Sequence, residues 1–188
     1  MSAPRAIVIG ASAGGVLALR ELLPRLPAGL DATVLVVLHL PPDRPSLLSG
    51  IFRRACRVPV VEAEDKAPLA PGTIVFAPPD YHLLVDRGPA IALSVDEPVA
   101  FSRPAIDVLF ETAAEIYGSA TTGLILTGAS HDGAAGLAAV ARAGGRVLVQ
   151  SPDEAESRAM PLAALAAVPQ AEVLTIAALA ALFDAGVR

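Results

Sequence analysis

An α/β fold, doubly wound around a mostly parallel sheet with helices on both faces and an inserted antiparallel β-hairpin region, follows from three features of the sequence. Aliphatic runs such as Thr33–Leu38 (T-V-L-V-V-L) carry no polar alternation, as expected of strands covered on both faces. Such runs alternate with helix-like segments in both halves of the chain. Between the halves, four shorter β-type runs crowd together, separated by Pro, Gly and Asp.

Taken in order, Ala6–Gly10 reads as a buried strand, followed by a Gly turn and a helix over about Gly14–Leu26. Thr33–Leu38 is the second strand. His39-Leu40-Pro41-Pro42 stops it, and a short helix is expected over Ser46–Ala55. Val58–Glu62, Thr73–Ala77, His82–Val85 and Ala90–Val95 form the expected hairpin region. Pro104, at a first-turn position, predicts a helix through Tyr117, with Ile106, Leu109, Phe110, Ala113 and Ile116 on one face. Thr122–Thr127 is a further buried strand and Asp132–Ala143 the helix after it. Gly144-Gly145 ends that helix, Arg146–Gln150 gives a strand, and Ala178–Ala185 a last helix. No repeat or linker divides the chain, so one domain over residues 1–188 is expected.

Composition narrows the function. Apolar residues make up 54% of the 188, aromatics only 4%, and Trp is absent, which suits an aliphatic α/β interior. The net charge is 14 − 19 = −5 with no long run of either sign. A nucleic-acid face needs a basic patch, and Arg53, Arg54 and Arg57 read instead as the solvated side of a short helix. Cys56, the single cysteine, can form no internal disulfide and reads as a small apolar residue. The lone thiol fits a reducing cytoplasm. Ala11-Ser12-Ala13 mimics a signal-peptidase site, but cleavage there would remove a strand and turn the fold needs. No apolar stretch is long enough to span a bilayer, so membrane insertion is not expected.

Parallel sheets build sites where their strands end. Ser12 follows the first strand by two residues, His39 the second immediately, and Asp132 the Thr122–Thr127 strand by five. Together they offer a nucleophile, a general base and a group to hold the base. Ser12 sits in Gly10-Ala11-Ser12-Ala13-Gly14-Gly15, which matches the G-x-S-x-G elbow. The same turn is open to two blander readings, a serine helix cap or a phosphate cradle. Its spacing departs from G-x-G-x-x-G. His39 alone could be a loop histidine. Asp132 could simply cap the following helix, and would serve in both roles only by sharing its oxygens between N–H groups and the imidazole. It is the joint pattern that points to a triad.

Those residues carry a family resemblance. Ile7–Gly15 (I-V-I-G-A-S-A-G-G), Val36–Pro42 (V-V-L-H-L-P-P) and Leu126–Gly133 (L-T-G-A-S-H-D-G) resemble the catalytic domain of the chemotaxis CheB-type protein-glutamate methylesterases. Arg103–Phe110 (R-P-A-I-D-V-L-F) and Ala159-Met160-Pro161 resemble two further family segments, lining the cleft. The order Ser, His, Asp differs from the α/β-hydrolases, where the acid precedes the histidine.

The resemblance implies hydrolysis of glutamate methyl esters, and deamidation of glutamines, on the cytoplasmic helices of methyl-accepting chemoreceptors. Ser12 would be the nucleophile, His39 the base and Asp132 its support. Backbone N–H groups near Ala129 and in the Ser12 turn, around Ala13 and Gly14, would hold the oxyanion, with Arg103 and Met160 in the substrate cleft. No metal or organic cofactor is implied, and the location would be cytoplasmic. Four positions depart from the family pattern: Ala13 stands where Thr is usual, Ala129 and Ser130 where Met-Gly is usual, and Ala159 where Gly is usual. These leave a catalytically weak or inactive relative, binding a signalling partner through the same cleft, as the alternative. A nucleotide-binding module is a third. Regulated members carry a receiver domain before the catalytic strand; here the strand comes at once, so a free-standing esterase or one governed by another protein is expected. His131 reads as a surface-loop residue and His82 as exposed or structural.

Overall fold

A computed structural model of the chain describes residues 5–40 and 46–187. The Pro41-Pro42 strand stop expected from the sequence lies outside them.

Seven strands form one sheet in the order β3-β4-β2-β1-β7-β8-β9, with every neighbouring pair parallel. They are β1 (Arg5–Ala11), β2 (Ala32–Leu38), β3 (Val60–Glu62), β4 (Ile74–Phe76), β7 (Thr121–Ile125), β8 (Arg146–Gln150) and β9 (Glu172–Leu174). Strands β5 (His82–Asp86) and β6 (Ala90–Ser94) pair antiparallel in a separate two-stranded sheet. The helices are α1 (Gly15–Leu22), α2 (Leu48–Arg53), α3 (Ile106–Tyr117), α4 (Ala134–Arg142), α5 (Ala159–Ala167) and α6 (Ile176–Asp184).

The aliphatic runs do what continuous runs should. All seven residues of β2 and all five of β7 are buried, because both sheet faces are covered. Alternate residues of β1 serve opposite faces: Ile7 and Ile9 join a cluster with Leu19, Leu22 and Phe183, while Val8 packs with Leu109, Phe110 and Leu137. Helices α1 and α6 thus cover one face, and α3, α4 and α5 the other.

Several expectations need correction. Of the four runs assigned to the hairpin region, only the second pair is a hairpin; β3 and β4 extend the parallel sheet beyond β2. Three-residue strands bounded by turns look alike from sequence whichever way their neighbours run. Pro104 lies outside α3, which begins at Ile106 after an extended Ala105, and the Arg103–Pro104 bond is cis. The first helix ends at Leu22 and continues as a 3₁₀ turn over Leu23–Arg25, where Pro24 cannot donate the helical hydrogen bond. Helix α5 and strand β9 occupy a stretch to which the sequence reading assigns no element. The α5 sequence, A-M-P-L-A-A-L-A-A, is apolar almost all round and shows no stripe to read.

Candidate active site

The registry of the central strands sets the site. Ala11 pairs with Leu38, so the chain leaves β1 and β2 side by side, and the His39 N–H donates to the Ala11 carbonyl at 3.1 Å. Residues 12 and 39 therefore begin the loops at the same sheet edge. β7 flanks β1 on its other side, Gly10 opposite Ile125, and the Ser12 N–H donates to the Thr127 carbonyl at 2.9 Å. The loop after β7 carries Asp132 back toward β2.

His39 and Asp132 meet. Nε2 of the imidazole lies 2.8 Å from Asp132 Oδ2, with the carboxylate fully buried and the histidine side chain 14% exposed. A carboxylate only accepts, so Nε2 carries the proton and Nδ1 is left as the acceptor, available to a hydroxyl. Asp132 takes two more donors, the N–H groups of Ile106 on Oδ2 (2.7 Å) and of Asp107 on Oδ1 (2.9 Å). It thus shares its oxygens between a helix N-terminus and the imidazole, but the helix is α3. The alternative in which Asp132 caps the helix following it does not hold, since its oxygens accept from α3. That place belongs to Asp107, whose Oδ1 accepts from Gly133 (2.9 Å) and Gly136 (2.6 Å) at the start of α4.

Ser12 is partly exposed, directly after β1. Among the described residues its hydroxyl forms no hydrogen bond, and its backbone supports the turn through the Gly15 N–H to Ser12 carbonyl bond of 2.8 Å. The serine does not cap α1; Gly14 holds the N-cap position at φ 78°, a conformation that suits glycine. Gly128 fits closely against the serine. A Cβ placed there would lie 3.0 Å from the Ser12 Cβ and 2.6 Å from the Met160 methyl, so a larger residue would require Met160 and the serine turn to shift.

The remaining cleft residues divide. Ala13 and Ala129 are exposed beside the serine turn. Met160 is buried, 1% exposed, beneath Gly128, and so forms the floor under the loop instead of an open wall. Arg103 is committed to the protein: Nε and Nη2 donate to Asp80 Oδ1 at 3.0 and 2.6 Å, and Nη1 to the Val95 and Asp96 carbonyls at 2.9 and 3.1 Å. His131 faces solvent. His82 is buried and structural, its Nδ1 accepting from the Ala105 N–H (3.1 Å) and its Nε2 paired with the Glu97 carbonyl (3.1 Å).

Three supporting residues went unnoticed in the sequence. Thr127 Oγ1 donates to the Ala13 carbonyl (2.8 Å) and accepts from the Ser157 N–H (2.9 Å), tying the serine turn to the loop before α5. Gln150 Oε1 accepts from the Thr127 N–H at 2.8 Å. The third is Asp107. A polar residue closing each of two aliphatic strands was the available signal for Thr127 and Gln150. Nothing local distinguishes Asp107 from an ordinary first-turn acid.

Fold and site together define an open, doubly wound α/β domain whose polar side chains converge at the carboxyl edge of a parallel sheet. Residues 7–183 match the family model described as CheB methylesterase. The chain belongs to the CheB methylesterase family. A putative protein-glutamate methylesterase/protein-glutamine glutaminase of Leptospira interrogans is 42% identical over 95% of this chain and 92% of its own length. The protein-glutamate methylesterase/protein-glutamine glutaminase of Symbiobacterium thermophilum is 38% identical over 94% of this chain, which spans 49% of that longer protein. The crystal structure of the Thermotoga maritima CheB methylesterase catalytic domain superposes with a TM-score of 0.89 at 31% identity, covering 96% of this chain and 100% of that one.

Proposed function

We propose that residues 1–188 form one catalytic domain that demethylates glutamate methyl esters, and deamidates glutamines, on the cytoplasmic helices of methyl-accepting chemoreceptors. The observation that carries the mechanism is the 2.8 Å His39–Asp132 bond, which leaves Nδ1 free at the edge where Ser12 leaves β1.

In this reading, Ser12 Oγ attacks the ester carbonyl while His39 Nδ1 takes its proton. The C–O bond to the methoxy group breaks, the imidazolium returns the proton, and methanol leaves. Water then attacks the acyl-serine, His39 again taking and returning one proton, so that glutamate and free Ser12 are formed. With a glutamine substrate, ammonia leaves in place of methanol. Asp132 orients the ring and offsets the charge it gains in each step. The N–H groups of Ala13 and Ala129, which have no acceptor among the described residues, are the donors assigned to the oxyanion. The location would be cytoplasmic. Among the described residues no helix is long and apolar enough to cross a membrane.

The test is methanol release from methylated receptor membranes. Ser12→Ala is expected to lose at least about 10³-fold in rate, since the covalent route is gone. Retention of most of the activity refutes the mechanism. A serine-directed phosphonyl fluoride should label the peptide carrying Ser12, and a chain that stays unlabelled favours the partner-binding alternative.

A further inference from the structure

Between β6 and α3 the chain makes a second, much smaller hairpin. Val99 and Ser102 exchange two backbone hydrogen bonds, 3.1 and 2.9 Å, around a two-residue turn formed by Ala100 and Phe101. Both turn residues have positive φ, 49° and 63°. That is the backbone of a type I′ turn, which selects Asn-Gly and strains residues with larger side chains. Phe101 also has all of its surface in water, at 100% exposure. The position thus carries two costs that an Asn or a Gly would avoid, and neither helps the fold. An observed strain of this kind at a cleft points to function.

The turn is held stiffly. Arg103 grips Asp80 and the carbonyls of Val95 and Asp96, while buried His82 joins the Glu97 carbonyl to the Ala105 N–H. Both arms of the projection are therefore anchored, and its tip is pre-organised for a partner. Val95, whose carbonyl Arg103 holds, and Tyr81, next to Asp80 in the chain, are 64% and 43% exposed. A cavity of about 170 Å³ runs beneath the tip, and its wall includes Phe101, Pro98, Leu40 and His39. The tip and the base of the proposed reaction thus share one depression.

From this geometry we infer that Phe101 is a substrate-docking residue, seating an apolar side chain that neighbours the esterified glutamate on the receptor helix. The inference rests on the methylesterase reading, and it specifies what the site recognises beyond the ester. The occupant follows from position: whatever is bonded to an ester held at His39 must lie over the same depression. On a helix, side chains three and four residues from the glutamate share its face, about 5–6 Å away. An exposed aromatic ring gains by covering an apolar neighbour there and gains little from a carboxylate.

The experiment compares Phe101→Asn with the unaltered chain on methylated receptor membranes and on p-nitrophenyl acetate, which has no neighbouring side chain. Asparagine suits the turn, and Phe101→Leu provides a variant that keeps an apolar tip. For Phe101→Asn, KM for the membranes is expected to rise on the order of 10-fold with kcat little changed, and the preference for membranes over the small ester, as a kcat/KM ratio, to fall by a similar factor. Phe101→Leu should recover most of that preference. Co-sedimentation of the Ser12→Ala chain with the same membranes, with and without Phe101→Asn, reads the contact without turnover and should weaken in parallel. An unchanged preference ratio, or unchanged co-sedimentation, overturns the inference. If Ser12→Ala leaves methanol release intact, it is the methylesterase reading that fails; if release depends on Ser12 but not on Phe101, only the docking role fails.

Discussion

Asp107 and Asp132 cap each other's helices. Asp132 receives the N–H groups of Ile106 and Asp107 at the start of α3, and Asp107 receives those of Gly133 and Gly136 at the start of α4. Each carboxylate precedes or begins one helix and satisfies the orphan donors of the other. The exchange fixes the loop from which Asp132 reaches His39, so the aim of the Asp132 carboxylate at the imidazole depends on an acid that does not touch the histidine.

Asp107→Ala removes the one oxygen that accepts from both Gly133 and Gly136 at the start of α4 and is expected to destabilise the chain by about 1–2 kcal/mol in urea denaturation. Its kcat should fall as the Asp132 loop loosens. Asp107→Asn keeps an acceptor oxygen and should restore most of both losses. Equal damage from Asn and Ala would mean that the charge, and not the cap, is what the loop requires.

The same residue gives a pH dependence. Burial raises the Asp107 carboxyl above its ordinary value, opposed by the Gly136 N–H and reinforced by the charge of Asp132. A carboxyl raised on folding holds its proton more tightly in the native state. Its contribution to stability is then fully present below the unfolded pKa and is lost as pH rises through the folded value. The stability of the native chain relative to Asp107→Asn should therefore decline as pH is raised through the carboxyl range and level off above it. A difference that grows with pH would contradict the sign.

Asp132→Asn can present an N–H where His39 Nε2 now donates, which disfavours the tautomer with Nδ1 as acceptor. We expect kcat to fall by on the order of 10⁴, with slower phosphonyl fluoride labelling of Ser12. Asp132→Ala should add a folding defect of about 1–3 kcal/mol, because the donors of Ile106 and Asp107 are left buried without an acceptor. Activity within tenfold of the native chain in Asp132→Asn would remove the carboxylate from the mechanism.

Thr127→Val preserves shape but deletes the hydroxyl that bridges the Ala13 carbonyl and the Ser157 N–H. The serine turn should then lose its tie to the α5 loop. The expected signature is a fall in kcat of about 10-fold or more together with a modest loss in Tm, measured on the same preparation. A Tm loss with kcat unaltered would confine Thr127 to a structural role.

Cys56 should be unreactive. Burial pushes its thiol up to about 11, so only about one molecule in a thousand carries the thiolate at pH 8. Iodoacetamide at that pH is expected to modify the folded chain far more slowly than free cysteine, and Cys56→Ala should retain full esterase activity. Rapid modification with loss of activity would point to a role for the thiol that its surroundings do not support.

Much of the sheet could be read directly because its central strands are hydrophobic on both faces, a pattern that few other environments tolerate. β1, β2, β7 and β8 all appear near their expected positions. Short elements were harder: β3 and β4 carry three residues each, too few to encode direction, and α5 has no polar face to mark it. His82 could be given as structural or exposed, and burial between Glu97 and Ala105 makes it structural.

By itself the sequence determined which residues could do chemistry and at which sheet edge they stand, since strand ends and residue types are local facts. Tertiary structure decided the pairings: that Asp132 serves α3 and the imidazole at once, that Asp107 answers it from the other helix, and that a fully exposed phenylalanine overlooks the histidine. The physical reason is that a hydrogen-bond acceptor is indifferent to sequence distance. It binds whichever donors packing brings within about 3 Å, and here those donors come from segments 25 to 93 residues away.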